Sequence, residues 1–170
     1  ISVVRLYDLA AVRSFTQLKS IPKVQLLVPE PRALANFETD KILVSGGEKQ
    51  NVEGAQWPDM LPRVVQSRIV QSFENAGYLK VLPGVPDGTR MDIQLLIDIR
   101  RFQIVGGAEP HASVELAARL LDKEGGIVGV KTFTADASAQ SLAPEVAVKS
   151  LNEAFGKVAS GLVIWVCDKL

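Results

Sequence analysis

One segment of this chain reads Gln56-Trp57-Pro58-Asp59-Met60-Leu61-Pro62-Arg63-Val64-Val65-Gln66-Ser67-Arg68-Ile69-Val70-Gln71-Ser72-Phe73-Glu74-Asn75-Ala76-Gly77. Its apolar side chains recur every four residues and form one stripe along a helix: Leu61, Val65, Ile69 and Phe73. Pro58 suits the first helical position because the N–H that it lacks has no helical partner there, and Asp59 then lies in the first turn. Gly77 can adopt the left-handed conformation that ends a helix. We therefore predict a helix over residues 58–77 that packs its stripe against other elements.

A second helix is predicted to start at Pro144 and to run to about Cys167. Its apolar side chains share one face: Ala147, Leu151, Ala154, Phe155, Val158, Leu162 and Trp165. Trp57, directly before the first helix, either covers the core or forms an exposed contact, and we favour the core because a large aromatic residue there fixes the helix entry. We expect these residues to be structural: Trp57, Leu61, Val65, Ile69, Phe73, Leu151, Phe155, Leu162 and Trp165.

The remaining apolar segments predict strands at residues 3–9, 23–28, 41–44, 51–53, 78–82, 91–105, 111–122 and 127–134. A short turn or 3₁₀ helix is expected at residues 34–37, and a loop at residues 135–140, which are small and polar. The last three strands follow one another through short turns that contain glycine, as in an antiparallel meander. We predict a single α+β domain over residues 1–170, in which a mixed, largely antiparallel sheet packs against two long amphipathic helices.

The longest predicted strand changes its pattern near Arg100. Ile99 continues the apolar parity of the first half of the strand, whereas Phe102 begins the opposite parity. One extra residue in the strand accounts for such a slip, so we predict a β-bulge. Asp98 and Arg100 lie two residues apart on the solvent face, and we expect them to form a solvated or cross-strand charge pair.

Composition and charge argue against several functional classes. Nineteen basic residues balance nineteen acidic ones among 170, without a basic cluster, which argues against a nucleic-acid partner. The longest run of apolar or small residues, 158–167, has about half of the ~20 residues that a membrane span needs. Cys167 is the single cysteine, so no intrachain disulfide can form, and we expect it to be a small buried apolar side chain.

The sequence contains no recognisable catalytic or metal-binding pattern. His111 is the only histidine, and we interpret it as an ordinary residue at a strand start, because the sequence has no nucleophile elbow. One histidine and one cysteine cannot form a structural zinc site, and no loop matches an EF-hand. The glycine pairs lack the spacing of phosphate-binding loops. We therefore expect no catalytic residue, no metal and no cofactor, and an interaction domain rather than an enzyme.

A family resemblance is carried by these segments: Tyr7-Asp8-Leu9, Val28-Pro29-Glu30-Pro31, Thr39-Asp40-Lys41-Ile42-Leu43-Val44, Trp57-Pro58-Asp59-Met60-Leu61-Pro62 and Val65-Gln66-Ser67-Arg68-Ile69-Val70-Gln71-Ser72-Phe73-Glu74. The chain resembles the ABC-type transport auxiliary lipoprotein family, which includes intermembrane transport lipoproteins. The similarity extends from about Leu6 to Trp165, and the start of the first helix is its most specific part. The resemblance brings no established catalytic residues with it.

The resemblance also implies partners and a location. Members of the family accompany an ABC transporter and an MCE-type substrate-binding protein, and act in moving lipids or other hydrophobic molecules across the bacterial envelope. They are periplasmic and are tethered to a membrane by a lipidated N-terminal cysteine. For this protein we expect an outer-membrane tether, with the lipidated cysteine upstream of Ile1. A homo-oligomer is left open.

Three roles are compatible with these expectations. Docking on partner proteins needs an exposed apolar patch, and the candidate contact residues are Phe102, Pro83 and Pro86. Carriage of an acyl chain needs an apolar pocket of about 300 Å³ or more between the helices and the sheet. Contact regulation of a cell-wall enzyme is the third role. We favour docking over carriage, because the two helices already occupy the apolar face of the sheet.

Overall fold

The computed structural model describes residues 3–84 and 93–170. Its strands are β1 (Arg5–Leu6), β2 (Leu26–Val28), β3 (Arg32–Ala33), β4 (Lys41–Ser45), β5 (Asn51–Gln56), β6 (Val81–Pro83), β7 (Ile93–Val105), β8 (His111–Leu121) and β9 (Ile127–Ser138). Its helices are α1 (Leu61–Asn75), α2 (Pro144–Lys169) and a short 3₁₀ helix, Ala35–Phe37, which confirms the expectation for that segment. Within these ranges neither long helix combines the length and the apolarity that crossing a bilayer requires.

Strand β7 organises the sheet because its two edges pair with different sets of strands. Along one edge it pairs antiparallel with β8, which in turn pairs antiparallel with β9. Along the other edge β2, β3 and β4 follow one another, each parallel to β7. The chain leaves this edge between β2 and β3 at Pro29 and Pro31, because proline has no N–H for a ladder hydrogen bond. Three short strands thus share one edge of a long one.

The other strands extend the sheet beyond β2 and β4. Strands β4 and β5 form an antiparallel hairpin across Gly46 and Gly47. Strand β1 joins β5, and β6 joins β2, both in parallel orientation. Most paired residues belong to the β7–β8–β9 meander, so the sheet is mixed and largely antiparallel. The predicted fold class, α+β with such a sheet and two long helices, is confirmed.

The predicted bulge in β7 is confirmed between Ile99 and Arg101, where the register with β8 shifts. Ile99 is buried before the shift and Phe102 is buried after it, whereas Arg100 and Arg101 are both exposed. Without the extra residue, the pleat would turn every apolar side chain beyond this point towards solvent. The bulge therefore keeps one face of β7 apolar along its whole length.

One hydrophobic core fills the space between the sheet and both helices. The ring of Phe102 contacts the rings of Trp57 and Phe155, with centroid separations of 6.0 and 5.9 Å. These residues come from the segment before α1, from β7 and from α2. Each side chain is at most 2% exposed. The aromatic cluster of Trp57, Phe102 and Phe155 therefore joins the three parts of the fold by burial and by favourable ring geometry.

Helix α2 packs on β8 and β9, and a glycine permits its close approach. A Cβ atom at Gly129 would lie 2.9 Å from Cζ2 of Trp165, closer than packed carbon atoms can lie. The Trp165 ring also packs against Phe133 at 5.7 Å. Trp165 packs against the core but is only half-buried, because it lies over β9 at the edge of the sheet.

Helix α1 begins at Leu61, so the predicted start at Pro58 is wrong. The N–H of Leu61 donates a hydrogen bond of 2.8 Å to the carbonyl oxygen of Thr39, and this contact holds the preceding residues in a turn beside the start of β4. Asp59 therefore lies outside the first turn of the helix. The argument about proline holds for Pro62, which occupies the first turn, where a missing N–H has no helical partner.

The predicted end of α1 is confirmed, since Gly77 has a φ of +94°. The Gly77 N–H donates to the Glu74 carbonyl oxygen and the Tyr78 N–H donates to the Phe73 carbonyl oxygen. This pair of hydrogen bonds defines a Schellman motif. The rings of Phe73 and Tyr78 pack edge to face at 5.7 Å. Tyr78 therefore belongs to the helix cap, and β6 begins later than the strand predicted there.

The other differences between the predicted and the observed strands arise from which residues have a partner in a neighbouring strand. Strands β1 and β2 are shorter than predicted, because only Arg5–Leu6 and Leu26–Val28 of the predicted segments pair with a neighbouring strand. Strand β9 extends into the segment predicted as a loop, because Ala135 and Ala137 pair with Val114 and Ala112 of β8. Strand β3 is not expected from the sequence, since it has only two residues and exists through its pairing with β7.

Substitution of Gly77 by alanine tests the helix cap. A Cβ atom at this position meets only Ile21, at 3.9 Å, so the positive φ is the main penalty. We expect Gly77→Ala to lower the free energy of unfolding by about 1–2 kcal/mol, measured by urea denaturation. Gly47→Ala is the matched control, because Gly47 has no positive φ and an added Cβ there meets nothing within 4 Å. Equal stability of the two variants would contradict the assignment of the cap.

Two acidic groups in the core ionise with difficulty. Burial raises the pKa of Tyr78 from 10.0 to about 12 and the pKa of Cys167 from 9.0 to about 11. The Tyr78 hydroxyl donates a hydrogen bond of 2.7 Å to the carbonyl oxygen of Val24. In both cases the folded protein holds the neutral form, whereas the unfolded chain ionises at the ordinary pKa.

Stability should therefore fall at alkaline pH. Because both folded-state pKa values are raised, this contribution is complete below pH 9.0 and is lost as the pH rises towards about 12. We expect Cys167→Ala to make the decline of the unfolding free energy between pH 9.0 and about 11 shallower, measured by urea denaturation across that range. An identical decline in the variant and the parent protein would show that the thiol is not the titrating group.

Candidate interaction surface

One face of the β7–β8–β9 meander points away from the core. This outer face includes the following side chains, which alternate with the buried ones: Gln94, Leu96, Asp98, Arg101, Glu115, Ala117, Arg119, Leu121, Ile127, Val130, Thr132 and Thr134. In the described part of the chain, both helices pack their apolar residues into the core on the opposite face. The outer face is therefore the broad sheet surface left available for contact with another molecule.

Three large apolar side chains on the outer face are exposed. Their exposed fractions are 36% for Leu96, 61% for Val130 and 64% for Ile127. Leu96 and Val130 flank Arg119 in one cross-strand row, and Ile127 pairs with Leu121 in the neighbouring row. Side chains in adjacent rows of one sheet face lie within reach of each other. We call Leu96, Ile127 and Val130 the apolar patch.

A cleft of about 470 Å³ opens on the same side of the sheet, where β3 separates from β7. Its lining is mostly apolar and comes from two segments: Arg32, Ala33 and Leu34, and Asp98, Ile99 and Arg100. The separation occurs because the chain after β3 curls into the 3₁₀ helix, where the Phe37 N–H donates to the Leu34 carbonyl oxygen. The side chain of Leu34 is 62% exposed and adds to the apolar surface at this point.

An ion pair forms the polar part of the cleft. Nε of Arg32 lies 3.0 Å from one carboxylate oxygen of Asp98, and Nη2 lies 3.4 Å from the other. The solvated or cross-strand charge pair expected here is present at Asp98, but the partner is Arg32, which lies directly opposite it in the β3–β7 register, rather than Arg100. The Arg32 side chain is 82% exposed, so the pair adds little stability. With Arg100 also in the lining, cations outnumber anions in the cleft.

A polar network occupies the outer face beyond the bulge. The guanidinium of Arg101 donates to Ser113 at 3.2 Å, to Glu115 at 3.0 Å and to Thr134 at 3.4 Å. These partners lie on β8 and β9, so one side chain cross-links three strands. The outer face is therefore apolar near the β8–β9 turn and polar towards the other end.

The structure does not bring the three expected contact residues together. Phe102 was expected to be exposed, and this is wrong, because the bulge turns its ring into the aromatic cluster, where it is 2% exposed. Pro83 is exposed at the end of β6 and lines a separate cleft of about 400 Å³ beside α1. Pro86 lies outside the described residues.

The residues that we expected to be structural are almost all buried in the core. All except Trp165 are at most 1% exposed: Trp57, Leu61, Val65, Ile69, Phe73, Leu151, Phe155 and Leu162. Apart from Trp57, which precedes α1, their burial follows from the helical spacing of their side chains, which the sequence displays directly.

The side chains that could bind a metal or act as a nucleophile lie apart from one another in the described residues. No group of three or more potential metal ligands comes together in residues 3–84 and 93–170. Nδ1 of His111 lies 3.1 Å from the carbonyl oxygen of Glu109. Cys167 is buried, and the raised pKa of its thiol disfavours the thiolate that a nucleophile requires.

Part of the outer face has a signal in the sequence. Leu96 and Val130 lie on the side of their strands where the neighbouring side chains are mostly polar and face solvent. A large apolar residue at such a position is the signal of a contact surface. The cleft has no comparable signal, because it depends on the register between β3 and β7.

Truncation of Phe102 separates a core role from a surface role. We expect Phe102→Ala to lower the free energy of unfolding by about 3–5 kcal/mol, because it removes the centre of the aromatic cluster. Leu34→Ala is the matched control, and its effect should remain within about 0.5 kcal/mol because Leu34 is on the surface. Urea denaturation measures both. A Phe102→Ala protein as stable as the parent would restore the view that Phe102 is a surface residue.

Comparison with known proteins gives consistent results. The family described as the ABC-type transport auxiliary lipoprotein component matches residues 7–163. An uncharacterized protein of Bradyrhizobium diazoefficiens is 31% identical over 160 residues. The matched region covers 94% of this chain and 44% of that protein, so the chain spans less than half of the relative's length.

Solved structures share the fold. A crystal structure of a Xanthomonas campestris protein, described by the family DUF330, has a TM-score of 0.86 and 27% identity, covering 98% of this chain and 96% of that chain. A second uncharacterized protein has a TM-score of 0.69 and 13% identity, covering 96% and 99% of the two chains, and shows the fold alone. Because the family match extends over nearly the whole domain, this chain belongs to the ABC-type transport auxiliary lipoprotein family.

Proposed function

We propose that this domain is a non-enzymatic accessory subunit of an MCE-type ABC transport system, and that it acts by docking on partner proteins. The system would move lipids or other hydrophobic molecules across the bacterial envelope. The partners would be the MCE-type substrate-binding protein and the ABC transporter subunits. The protein would be held in the periplasm by an N-terminal lipid anchor, with the outer membrane as the proposed site. Family membership supports the association with ABC transport.

One observation carries the docking role: the apolar patch is exposed on the face of the sheet opposite the core. An exposed group of large apolar side chains with polar surroundings is typical of a protein contact surface. Arg119 lies within the patch and the Arg101 network lies beyond it, so the polar rim that such surfaces need is present. The adjoining cleft gives a partner side chain a place to insert.

Carriage of a hydrophobic molecule is a second candidate, favoured by the volume of the cleft. Its 470 Å³ falls within the range of ligand pockets. However, the space between helices and sheet, where an acyl chain was expected to enter, is filled by the aromatic cluster and its neighbours. The cleft itself lies on the outer side and opens to solvent. We therefore favour docking over carriage, because docking involves both the apolar patch and the cleft, whereas carriage would involve the cleft alone.

Site-specific crosslinking tests the docking role. A photoreactive amino acid would replace Val130 in the lipidated protein expressed in its native envelope, and crosslinked proteins would be identified by mass spectrometry. Lys157 on the exposed face of α2 is the matched control position. We expect MCE-type or ABC transporter subunits from position 130 and none from position 157. Recovery of cell-wall synthases would favour the regulatory role, and a stoichiometric lipid without any protein would favour carriage.

A charge placed in the apolar patch should weaken docking without unfolding the domain. We expect Val130→Asp to reduce recovery of the partner by about tenfold, because an unpaired carboxylate would be buried in the interface. Lys157→Asp is the control for an added carboxylate elsewhere. Unfolding free energies of both variants should stay within about 0.5 kcal/mol of the parent. Unchanged recovery from Val130→Asp would exclude the apolar patch as the docking surface.

A further inference from the structure

The segment from Tyr7 to Val12 crosses both helices, and helix side chains form most of the hydrogen bonds to its main chain. The Tyr7 N–H still donates to the Gln56 carbonyl oxygen of β5, at 2.9 Å, but from Asp8 onwards side chains of the two helices bind the main chain of this segment. Asn152 of α2 accepts from the Ala10 N–H at 2.7 Å and donates to the Asp8 carbonyl oxygen at 3.2 Å. A main-chain segment held on both its donor and acceptor groups has a defined position. We call residues 7–12 the strap.

Helix α1 binds the far end of the strap in the same way. The Ser72 hydroxyl accepts from the Val12 N–H at 3.0 Å, and the Asn75 amide donates to the Val12 carbonyl oxygen at 2.9 Å. Ser72 is fully buried, and its hydroxyl also donates to the Arg68 carbonyl oxygen. Both the N–H and the carbonyl oxygen of Val12 are therefore hydrogen-bonded to side chains of α1.

Side chains of the strap add further contacts. Asp8 forms an ion pair with Arg68 of α1, and the Tyr7 hydroxyl donates to Glu145 of α2 at 2.9 Å. Leu9 is 2% exposed and belongs to the core. Because polar and apolar contacts reach both helices, the strap cannot move without breaking several of them at once. It therefore has a fixed orientation relative to the domain.

The residues before the strap have the opposite character. Val3, Val4 and Leu6 are 83%, 51% and 58% exposed, although they are apolar. Leu6 belongs to β1, which pairs with β5 along one edge. An exposed apolar strand at a sheet edge is a liability in water and is normally covered by something. The strap holds these side chains at one fixed place on the surface.

We propose that Val3, Val4 and Leu6 lie in the surface of the lipid bilayer, and that the strap sets the orientation of the domain on the membrane. The lipid surface is the occupant favoured here because the chain belongs to a lipoprotein family, and the function proposed above places the lipid anchor on the N-terminal side of these residues. The apolar residues are thus continuous with the anchored end. This inference rests on the lipoprotein assignment and is independent of which protein docks on the outer face.

Fluorescence quenching on vesicles tests the proposal. The domain would be tethered by an N-terminal histidine tag to phosphatidylcholine vesicles that contain a nickel-chelating lipid, in a Cys167→Ser background. An environment-sensitive dye would be attached after Val4→Cys or, in separate samples, after Val130→Cys and Lys157→Cys as controls. Because interfacial side chains enter about 5–10 Å into the boundary of the acyl chains, brominated lipid should quench the dye at position 4 on the order of twofold more than at the controls.

A strap variant separates a fixed orientation from simple proximity to the tether. Asn152→Ala combined with Asn75→Ala removes the main-chain contacts that the side-chain amides of both helices make with the strap and leaves position 4 unchanged, and we expect it to reduce the difference between position 4 and the controls. A second variant, Leu6→Asp, should reduce quenching at position 4 while the strap remains intact. Retention of the full difference in this double variant would overturn the role of the strap.

Two outcomes would overturn lipid contact itself. Equal quenching at positions 4, 130 and 157 in the parent protein would show that the domain has no preferred side towards the membrane. Stronger quenching at position 130 would place the outer face on the lipid, and would then also contradict the docking role of the apolar patch. Loss of crosslinked partners at position 130 with unchanged quenching at position 4 would contradict only the proposed docking.

Discussion

The position of the Phe102 ring is the constraint on which the rest of the structure depends. It lies between Trp57 and Phe155, and so ties the segment before α1 and the middle of α2 to the central strand. The ring can reach this position only because the bulge after Ile99 reverses the parity of β7. One additional residue in one strand thus decides which side chains face the helices and which face solvent.

The same bulge shapes the outer face. Because the parity changes there, Arg100 and Arg101 both remain on the exposed side, where one enters the cleft and the other cross-links three strands. Strand β3 separates from β7 beside this point. The cleft is therefore a consequence of how the core is closed, and a change in the aromatic cluster would alter the surface as well as the stability.

Sequence periodicity was sufficient for the helices, the meander and the bulge, and the quoted motifs were sufficient for the family, but neither was sufficient for the surface. Residues 144–167 and 93–105 carry patterns that no other structure satisfies as well. Phe102 was misjudged as a contact residue because its burial depends on a parity change and on two rings distant in sequence. The cleft and the Arg32–Asp98 pair depend on a two-residue strand, which has too few residues to show a period.

The strap and the outer face lie on different parts of the domain and are joined by one close-packed core. The strap is bound to α1 and α2, and the same helices cover the inner face of the meander. The elements on either side of such a close-packed core keep a fixed relative position, because its side chains cannot shift independently. If the strap holds the domain in one orientation on a membrane, the outer face must also point in one direction. A docked partner would then be fixed relative to the lipid surface by the fold itself, without a contact of its own.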